Sequence, residues 1–136
     1  MGDTSAVRQV ILAADDDEDI LTLLAFRLRR AGHEVITATD GEAALELART
    51  RSPDLAILDV RMPKMTGIEV VRALRDVEAT RGMPVILLTA SVQDDSVQVG
   101  LDAGADEYIK KPFSPHDLAT RIDDMLAART AVETAG

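Results

Sequence analysis

Short apolar runs alternate with helical patterns along the chain, and this alternation limits the folds that the sequence can adopt. Five runs have the length of buried strands, at about 10–14, 35–38, 55–58, 85–89 and 107–109. Apolar residues at helical spacing predict helices at about 18–31, 41–49, 67–76, 94–103 and from Pro115 onward. Regular alternation of strands and helices predicts an α/β fold with a parallel sheet covered on both faces.

The number of strands narrows this prediction to one architecture. Five strands in this pattern favour a flavodoxin-like, doubly wound (βα)5 fold with the strand order 2-1-3-4-5. The 136 residues and the hydrophobic fraction of 46% suit a single domain with one ordinary core. We expect residues 1–136 to form that domain, with a core at about 8–129. Both tails are polar, and the C-terminal tail is expected to fray from about Thr130.

Composition excludes several classes of function. The chain has no cysteine, which excludes disulfides and thiolate metal sites and is compatible with a reducing cytosol. No stretch reaches the roughly 18 apolar residues of a membrane span, and residues 1–9 lack the apolar centre of a signal peptide. The net charge of −9 argues against direct nucleic-acid binding, because neutralising phosphates needs clustered Lys and Arg.

Four of the predicted strands lead into a reactive side chain. The first is followed by Asp15 and Asp16, the third by Asp59, the fourth ends at Thr89, and the fifth leads to Lys111. Open parallel sheets carry their sites at the carboxyl ends of the strands, so we expect these groups to meet at one edge. Carboxylates about 4 Å apart repel by roughly 4 kcal/mol at an effective dielectric of 20, so their convergence predicts a bound cation.

The ligand types indicate which cation this is. An all-oxygen site favours Mg²⁺, with Mn²⁺ as a substitute, over zinc. Asp15, Asp16 and Asp59 would supply carboxylates, and Arg61, two residues past Asp59, would supply its backbone carbonyl.

The same groups could accept a phosphoryl group. A carboxylate such as Asp59 can attack phosphorus and form an acyl phosphate. Catalysis of such a transfer is mostly positioning and charge neutralisation, for which Lys111 offers a point charge and Thr89 a hydroxyl. A cis Lys111–Pro112 peptide bond would aim the lysine back across the sheet edge.

These motifs together resemble a response-regulator receiver domain of two-component signalling, over about residues 8–129. The residues that match are Asp15-Asp16, Asp59 within LDVRMPKMTG, Thr89-Ala90 and Lys111-Pro112-Phe113. The resemblance implies that Asp59 is the phosphoacceptor and that a histidine kinase or phosphotransfer protein is the donor. It also implies a cytoplasmic signalling domain that catalyses only its own phosphotransfer and autodephosphorylation, and is not otherwise an enzyme.

The resemblance implies roles for the surrounding residues as well. Asp16 and Asp59 would ligate Mg²⁺ directly, helped by the Arg61 carbonyl, and Asp15 would act through water. Thr89 and Lys111 would hold the phosphoryl group.

A switch is also implied by the resemblance. Tyr108 matches the family's switch aromatic, which turns inward when Thr89 moves toward the phosphoryl group. The face that would change is formed by the fourth predicted helix, the fifth strand and the last helix. It would bind a downstream protein partner, an attached output domain or a second copy of the chain.

The last helix resembles that of receivers attached to winged-helix transcription factors, which dimerise through cross-subunit ion pairs. Glu107 and Arg121 match one such pair, and Asp117 matches half of another. The position that would hold the basic partner of Asp117 is occupied by Val97 in this chain, so the pattern of ion pairs is incomplete. We therefore expect a monomer or a weak homodimer.

Simpler interpretations exist for each residue taken alone. The run 15–17 could cap a helix, Asp59 could be a turn residue, Thr89 could reflect strand propensity, and Lys111 could be a solvated charge. Two other functions stay open, a receiver-like module that binds partners without phosphorylation and an aspartyl-phosphate phosphatase. Phosphatases of the haloacid-dehalogenase type place a second Asp two residues after the nucleophile, where this chain has Arg61.

Overall fold

A five-stranded parallel sheet in the order β2-β1-β3-β4-β5 forms the centre of the molecule. The computed structural model describes residues 9–90 and 96–135, with side chains over 9–90 and 98–128. The strands are β1 (Val10–Ala14), β2 (Glu34–Ala38), β3 (Leu55–Asp59), β4 (Val85–Thr89) and β5 (Glu107–Lys110). The helices are α1 (Glu18–Arg30), α2 (Gly41–Arg51), α3 (Gly67–Arg75), α4 (Glu78–Arg81), α5 (Ser96–Ala103) and α6 (Pro115–Ala135). The predicted fold class and strand order are confirmed.

Alternation of side chains along the strands divides the interior into two cores, one on each face of the sheet. From β1, Leu12 and Ala14 join a core with α2 and α3. Ile11 and Ala13 face the opposite side and join a core with α1 and α6. Full burial of a Leu or Ile side chain contributes about 1.5–3 kcal/mol, so both helical layers are firmly packed on the sheet. The carboxyl ends of β1, β3 and β4 are thereby fixed relative to one another.

Local signals explain where several helices begin and end. Thr66 caps α3 and forms a capping box with Glu69, since each side chain accepts from the other residue's backbone N–H. Asp17 caps α1 by accepting from the N–H groups of Asp19 and Ile20. α2 ends at Arg51 and is followed by Ser52, which adopts a left-handed conformation with φ of 47°.

Two features of the helices differ from the predictions. α4 was not expected, because four residues without a side-chain cap are too short to show apolar periodicity. α6 continues to Ala135, past Thr130, where the polar tail was expected to begin, and fraying of this segment stays a prediction. Its last residues include the good helix formers Ala and Glu, and no Gly or Pro interrupts them. The predicted start of α5 at Asp94 lies outside the described residues.

Over the described ranges, no helix combines the length and the apolar character that a bilayer crossing requires.

Candidate functional site

Asp59 is the last residue of β3, in the middle of the sheet, and is only 6% exposed. α3 approaches it closely because Gly67 has no side chain. A Cβ on Gly67 would lie 2.3 Å from the Asp59 carbonyl oxygen. The Gly67 N–H instead donates to the Val60 carbonyl at 2.9 Å, which fixes the loop that leaves the strand. Gly67 was predicted to begin this helix but not to shape the site, although the capping-box pattern at Thr66 marks the same point of the chain.

The acidic run after β1 is divided between two roles. Asp15 is fully buried and its Oδ1 accepts from the Asp17 N–H at 2.9 Å. Asp17 caps α1, so the helix-capping interpretation is correct for that residue. Asp15 and the exposed Asp16 form a cluster with Asp59 instead. Each of the two has a carboxylate oxygen within 4.8 Å of the other and of one on Asp59. The structure therefore brings together the three carboxylates that the sequence analysis selected.

Lys111 reaches the same point from the end of β5. Its Nζ lies 2.8 Å from Asp15 Oδ2 and 3.3 Å from Asp59 Oδ1, and its side chain is 18% exposed. The Lys111 N–H donates to the Thr89 carbonyl at 2.7 Å, which anchors this segment to β4. The Lys111–Pro112 peptide bond is cis, as the sequence analysis considered.

The environment shifts the pKa values of two of these groups. Burial and the neighbouring Asp15 charge raise the pKa of Asp59 to about 6, although Lys111 and a backbone hydrogen bond from Arg61 oppose the shift. Burial lowers the pKa of Lys111, but contacts with Asp15 and Asp59 more than compensate, so its pKa is raised above the ordinary value. At neutral pH the lysine is thus charged and Asp59 is mostly ionised.

The residues present fit a hard divalent cation. Three carboxylates face one ammonium, which leaves two formal negative charges without compensation among the described groups. All candidate side-chain ligands are oxygens, the ligand type that Mg²⁺ prefers. Arg61 is exposed and follows Asp59 closely, and its carbonyl as a further ligand stays a prediction.

Thr89 and Tyr108 lie on the two neighbouring strands at the edge of the sheet. Thr89 is the last residue of β4 and is 6% exposed. Tyr108 is half-buried in β5 and pairs with Leu87 of β4. Its ring lies under α5, since a Cβ on Gly100 would be 2.8 Å from Tyr108 Cε2. Tyr108 thus lies beside β4 and against α5, and its switching role stays a prediction.

The residues of the predicted dimer face are brought together only in part. Arg121 forms an ion pair with Glu107 inside the same chain. Asp117 is exposed in the first turn of α6, while the side chain of Val97 lies outside the described residues. The use of these residues between subunits stays a prediction.

Comparison with known proteins agrees with this geometry. The model of the response regulator receiver domain matches residues 11–123. The alkaline phosphatase synthesis transcriptional regulatory protein PhoP of Bacillus subtilis is 47% identical over 116 residues, which are 85% of this chain and 48% of PhoP. The DNA-binding response regulator MtrA of Mycobacterium tuberculosis is 42% identical over 85% of this chain and 50% of MtrA. The chain spans about half the length of the curated relatives it matches.

A solved structure that contains a metal ion is also similar to this chain. The receiver domain of the sensor histidine kinase PA1611 from Pseudomonas aeruginosa superimposes with a TM-score of 0.82 and 30% identity, covering 89% of this chain and 99% of that one. That structure has a magnesium ion coordinated in its active site cleft. Given the extent of the family match and the identity to PhoP and MtrA, this chain belongs to the response regulator receiver domain family of two-component signalling.

Proposed function

We propose that the chain accepts a phosphoryl group on Asp59 from the phosphohistidine of a histidine kinase or phosphotransfer protein. The observation that carries this proposal is the contact of Lys111 Nζ with Asp15 and Asp59 at a buried edge of the sheet. It gives the acceptor carboxylate a fixed cation on one side and a cluster of acidic ligands on the other.

The state of Asp59 suits a nucleophile. With a pKa of about 6, the carboxyl group is about nine-tenths ionised at pH 7. Burial leaves this carboxylate poorly hydrated, so less water has to be displaced before attack. A carboxylate oxygen forms the new bond to phosphorus as the P–N bond to the donor imidazole breaks. The imidazole nitrogen leaves with that electron pair, and Asp59 carries the phosphoryl group as an acyl phosphate.

The neighbouring residues would position the group during transfer. Lys111 can exchange its contact with an Asp59 oxygen for a phosphoryl oxygen, and it keeps Asp15 as its second partner. Thr89, at the end of the adjacent strand, offers a hydroxyl on the same edge. Asp15, Asp16 and Asp59 would hold Mg²⁺, which when bound supplies the positive charge that a phosphoryl group needs. Mn²⁺ has the same preference for oxygen and stays a predicted substitute.

We infer a signalling output that lies beyond this domain. PhoP is a transcriptional regulatory protein, MtrA is a DNA-binding response regulator, and both are about twice as long as the matched region. Phosphorylation would act through Tyr108 on the face formed by α5, β5 and α6. That face would bind an output domain, a protein partner or, weakly, a second copy of the chain, without direct contact between this domain and nucleic acid.

Intact mass after incubation with acetyl phosphate tests the proposal. Wild-type protein is expected to gain one phosphoryl group when Mg²⁺ is present and none when it is chelated. Asp59→Asn should gain none, while the control Asp124→Asn, an exposed carboxylate on α6, should behave as wild type.

Two outcomes would count against the proposal. Equal phosphorylation of Asp59→Asn would place the acceptor elsewhere. Absence of any gain with acetyl phosphate, phosphoramidate and a phosphorylated histidine kinase would favour the module that signals by binding alone.

A further inference from the structure

Every N–H of the Arg75 guanidinium is hydrogen-bonded. Nε donates to the Gly104 carbonyl at 3.0 Å, and Nη2 donates to that carbonyl at 2.7 Å and to Asp106 Oδ2 at 3.0 Å. Nη1 donates to the carbonyls of Arg81 at 2.8 Å and Met83 at 2.6 Å. These five bonds use all five donors of the side chain. An arginine that only faced solvent would donate most of these hydrogen bonds to water.

The five bonds connect three segments at the amino-terminal edge of the sheet, opposite Asp59. They join the end of α3 to the connection that enters β4 and to the turn between α5 and β5. Asp106 strengthens this junction, because its Oδ2 also accepts from the N–H of Val85, the first residue of β4, at 2.8 Å. Arg75 is only 18% exposed, so its bonds are partly protected from water.

The turn that accepts the Arg75 hydrogen bonds follows α5 directly and packs closely against the Arg75 side chain. Gly104 has φ of +118°, a conformation that favours glycine, and a Cβ there would lie 2.8 Å from Arg75 Cγ. Its carbonyl accepts two of the five bonds. A guanidinium also suits this position because the carboxyl end of a helix carries a partial negative charge. The end of α5 is therefore fixed by polar contacts.

Over residues 98–103, for which side chains are described, α5 is mostly exposed to solvent. Its exposed residues are Gln98, Val99, Leu101 and Asp102. The buried residue one turn before the fixed end is Gly100, and it rests on Leu87 and the Tyr108 ring. Thus α5 has a polar anchor at its end and lies on Tyr108, the residue proposed to move on phosphorylation.

We propose that Arg75 is the pivot about which α5 tilts when Tyr108 moves, an inference that rests on the proposed function. Gly100 lies about 6 Å along the helix from Gly104, and Ser96 lies about 12 Å from it. A displacement of Gly100 by the Tyr108 ring would therefore be about doubled at the amino end of α5. Arg75 is a positioning residue, since it acts through α5 and touches none of the reacting atoms.

Hydrogen exchange of the unphosphorylated protein tests the anchor first. Peptides that cover residues 98–106 should exchange about tenfold faster in Arg75→Gln than in wild type, since charged hydrogen bonds are lost. Arg72→Gln is the matched control, with the same charge change on an exposed residue of the same helix, and should exchange as wild type. Arg75→Lys keeps the charge with three donors in place of five, and should lie between them.

Phosphorylation then tests the pivot, with a readout that a purely structural role would not change. In wild type, acetyl phosphate and Mg²⁺ should alter exchange at residues 96–100 and leave 103–106 unchanged. In Arg75→Lys the phosphorylated fraction by intact mass should stay the same, while the change in exchange spreads to 103–106. Tyr108 fluorescence reports the ring directly, because the chain has one tyrosine and no tryptophan.

Each result bears on the inference. Wild-type exchange of α5 in both Arg75 variants would overturn the anchor. Equal phosphorylation-dependent changes at 96–100 and 103–106 in wild type would overturn the pivot. Should wild type accept no phosphoryl group, the proposed function fails and the pivot fails with it, whereas the unphosphorylated comparison still decides the anchor. If Arg75→Gln does not fold, Arg75→Lys provides the comparison.

Discussion

The carboxyl group of Asp59 is placed where its charge is unfavourable. Burial and the nearby Asp15 raise its pKa to about 6, and Lys111 compensates only in part. Because the pKa is higher in the folded chain than its ordinary value of 3.8, ionisation of this group weakens the native state. The arrangement that suits Asp59 to its proposed role therefore reduces the stability of the metal-free domain.

Asp59→Asn should consequently stabilise the metal-free protein in a pH-dependent manner. The native state binds the Asp59 proton more tightly, so wild type loses stability relative to the variant as pH rises from about 4 to about 6. Above pH 6 the difference should reach up to about 3 kcal/mol. Urea unfolding in EDTA at pH 4.5 and pH 8 measures it. Asp124→Asn, exposed on α6, is the control, and a difference that does not grow with pH would contradict the expectation.

Lys111→Ala should destabilise the domain more in EDTA than in Mg²⁺. Removing the ammonium leaves Asp15 and Asp59 buried without the positive charge of the lysine. For a partly exposed lysine this should lower the free energy of unfolding by about 2–3 kcal/mol. A bound cation would restore much of the compensation. Melting temperatures with and without Mg²⁺ measure the effect, with Lys110→Ala as the exposed neighbouring control. An equal loss under both conditions would argue against a cation at the carboxylates.

At this scale the sequence predicts which groups converge but not how they pair. Asp15, Asp16, Asp59 and Lys111 follow strands whose order can be deduced, so their convergence is predictable. The partner of Arg121 is not predictable, because the sequence allows Glu107 of the same chain or of a second copy. In the structure Arg121 pairs with Glu107 of the same chain. Arg75 carries no motif, since four of its five bonds go to backbone carbonyls.

Among the elements, α3 directly constrains the backbone of Asp59. It begins at Gly67, against the backbone of Asp59, and the closeness of this approach depends on a missing side chain. The buried residues Val70, Val71 and Leu74 then hold the helix on the sheet. The position of the Asp59 backbone is therefore set by a helix as well as by its strand.

Gly67→Ala should move α3 away from β3. The added Cβ would lie 2.3 Å from a backbone oxygen, which cannot rotate out of the way. Overpacking costs about 1–3 kcal/mol where side chains can adjust, and we expect the upper end here. Chemical denaturation and the rate of phosphorylation by acetyl phosphate measure the result. Gly82→Ala, whose Cβ would meet nothing within 4 Å, is the control; equal behaviour of the two variants would contradict this account.

The boundaries of the elements were predictable where a local signal exists. The start of α2 follows from Asp40, which accepts from the Ala43 N–H. α4 has no such signal, because its buried residue Thr80 is held by a hydrogen bond to the Leu74 carbonyl that only the folded chain supplies. The extension of α6 beyond Thr130 depends on helix propensity. It was not predicted, because the residues after Thr130 are mostly small or polar and show no apolar periodicity.

For the whole molecule, Mg²⁺ should act as a stabilising ligand. A cation that binds the native carboxylates and not the unfolded chain raises stability by mass action, by about 2.7 kcal/mol at one hundred times its dissociation constant. The melting temperature should therefore rise steadily with Mg²⁺ concentration. Asp16→Asn should weaken this response without unfolding the domain, because Asp16 is exposed. A melting temperature that is unchanged in millimolar Mg²⁺ would count against the metal site.

The topology of the whole chain was predictable because few arrangements satisfy the physical rules. Alternating strands and helices require a parallel sheet with both faces covered, and right-handed crossovers leave few strand orders. The observed order places β1 beside β3, which explains why Asp15 and Asp59 meet. Distances within the site could not be predicted, since they depend on the packing of the helices around it.

The two separate cores have a consequence for how such a domain can diverge. Ile11 and Ala13 contact the α1–α6 side, while Leu12 and Ala14 contact the α2–α3 side, so a substitution in a strand disturbs one layer and largely spares the other. The layer that carries α5 and Tyr108 can thus accumulate changes without repacking α1 and α6. The proposed partner face takes α5 from one layer and α6 from the other, so each of these helices can be altered without repacking the core beneath the other.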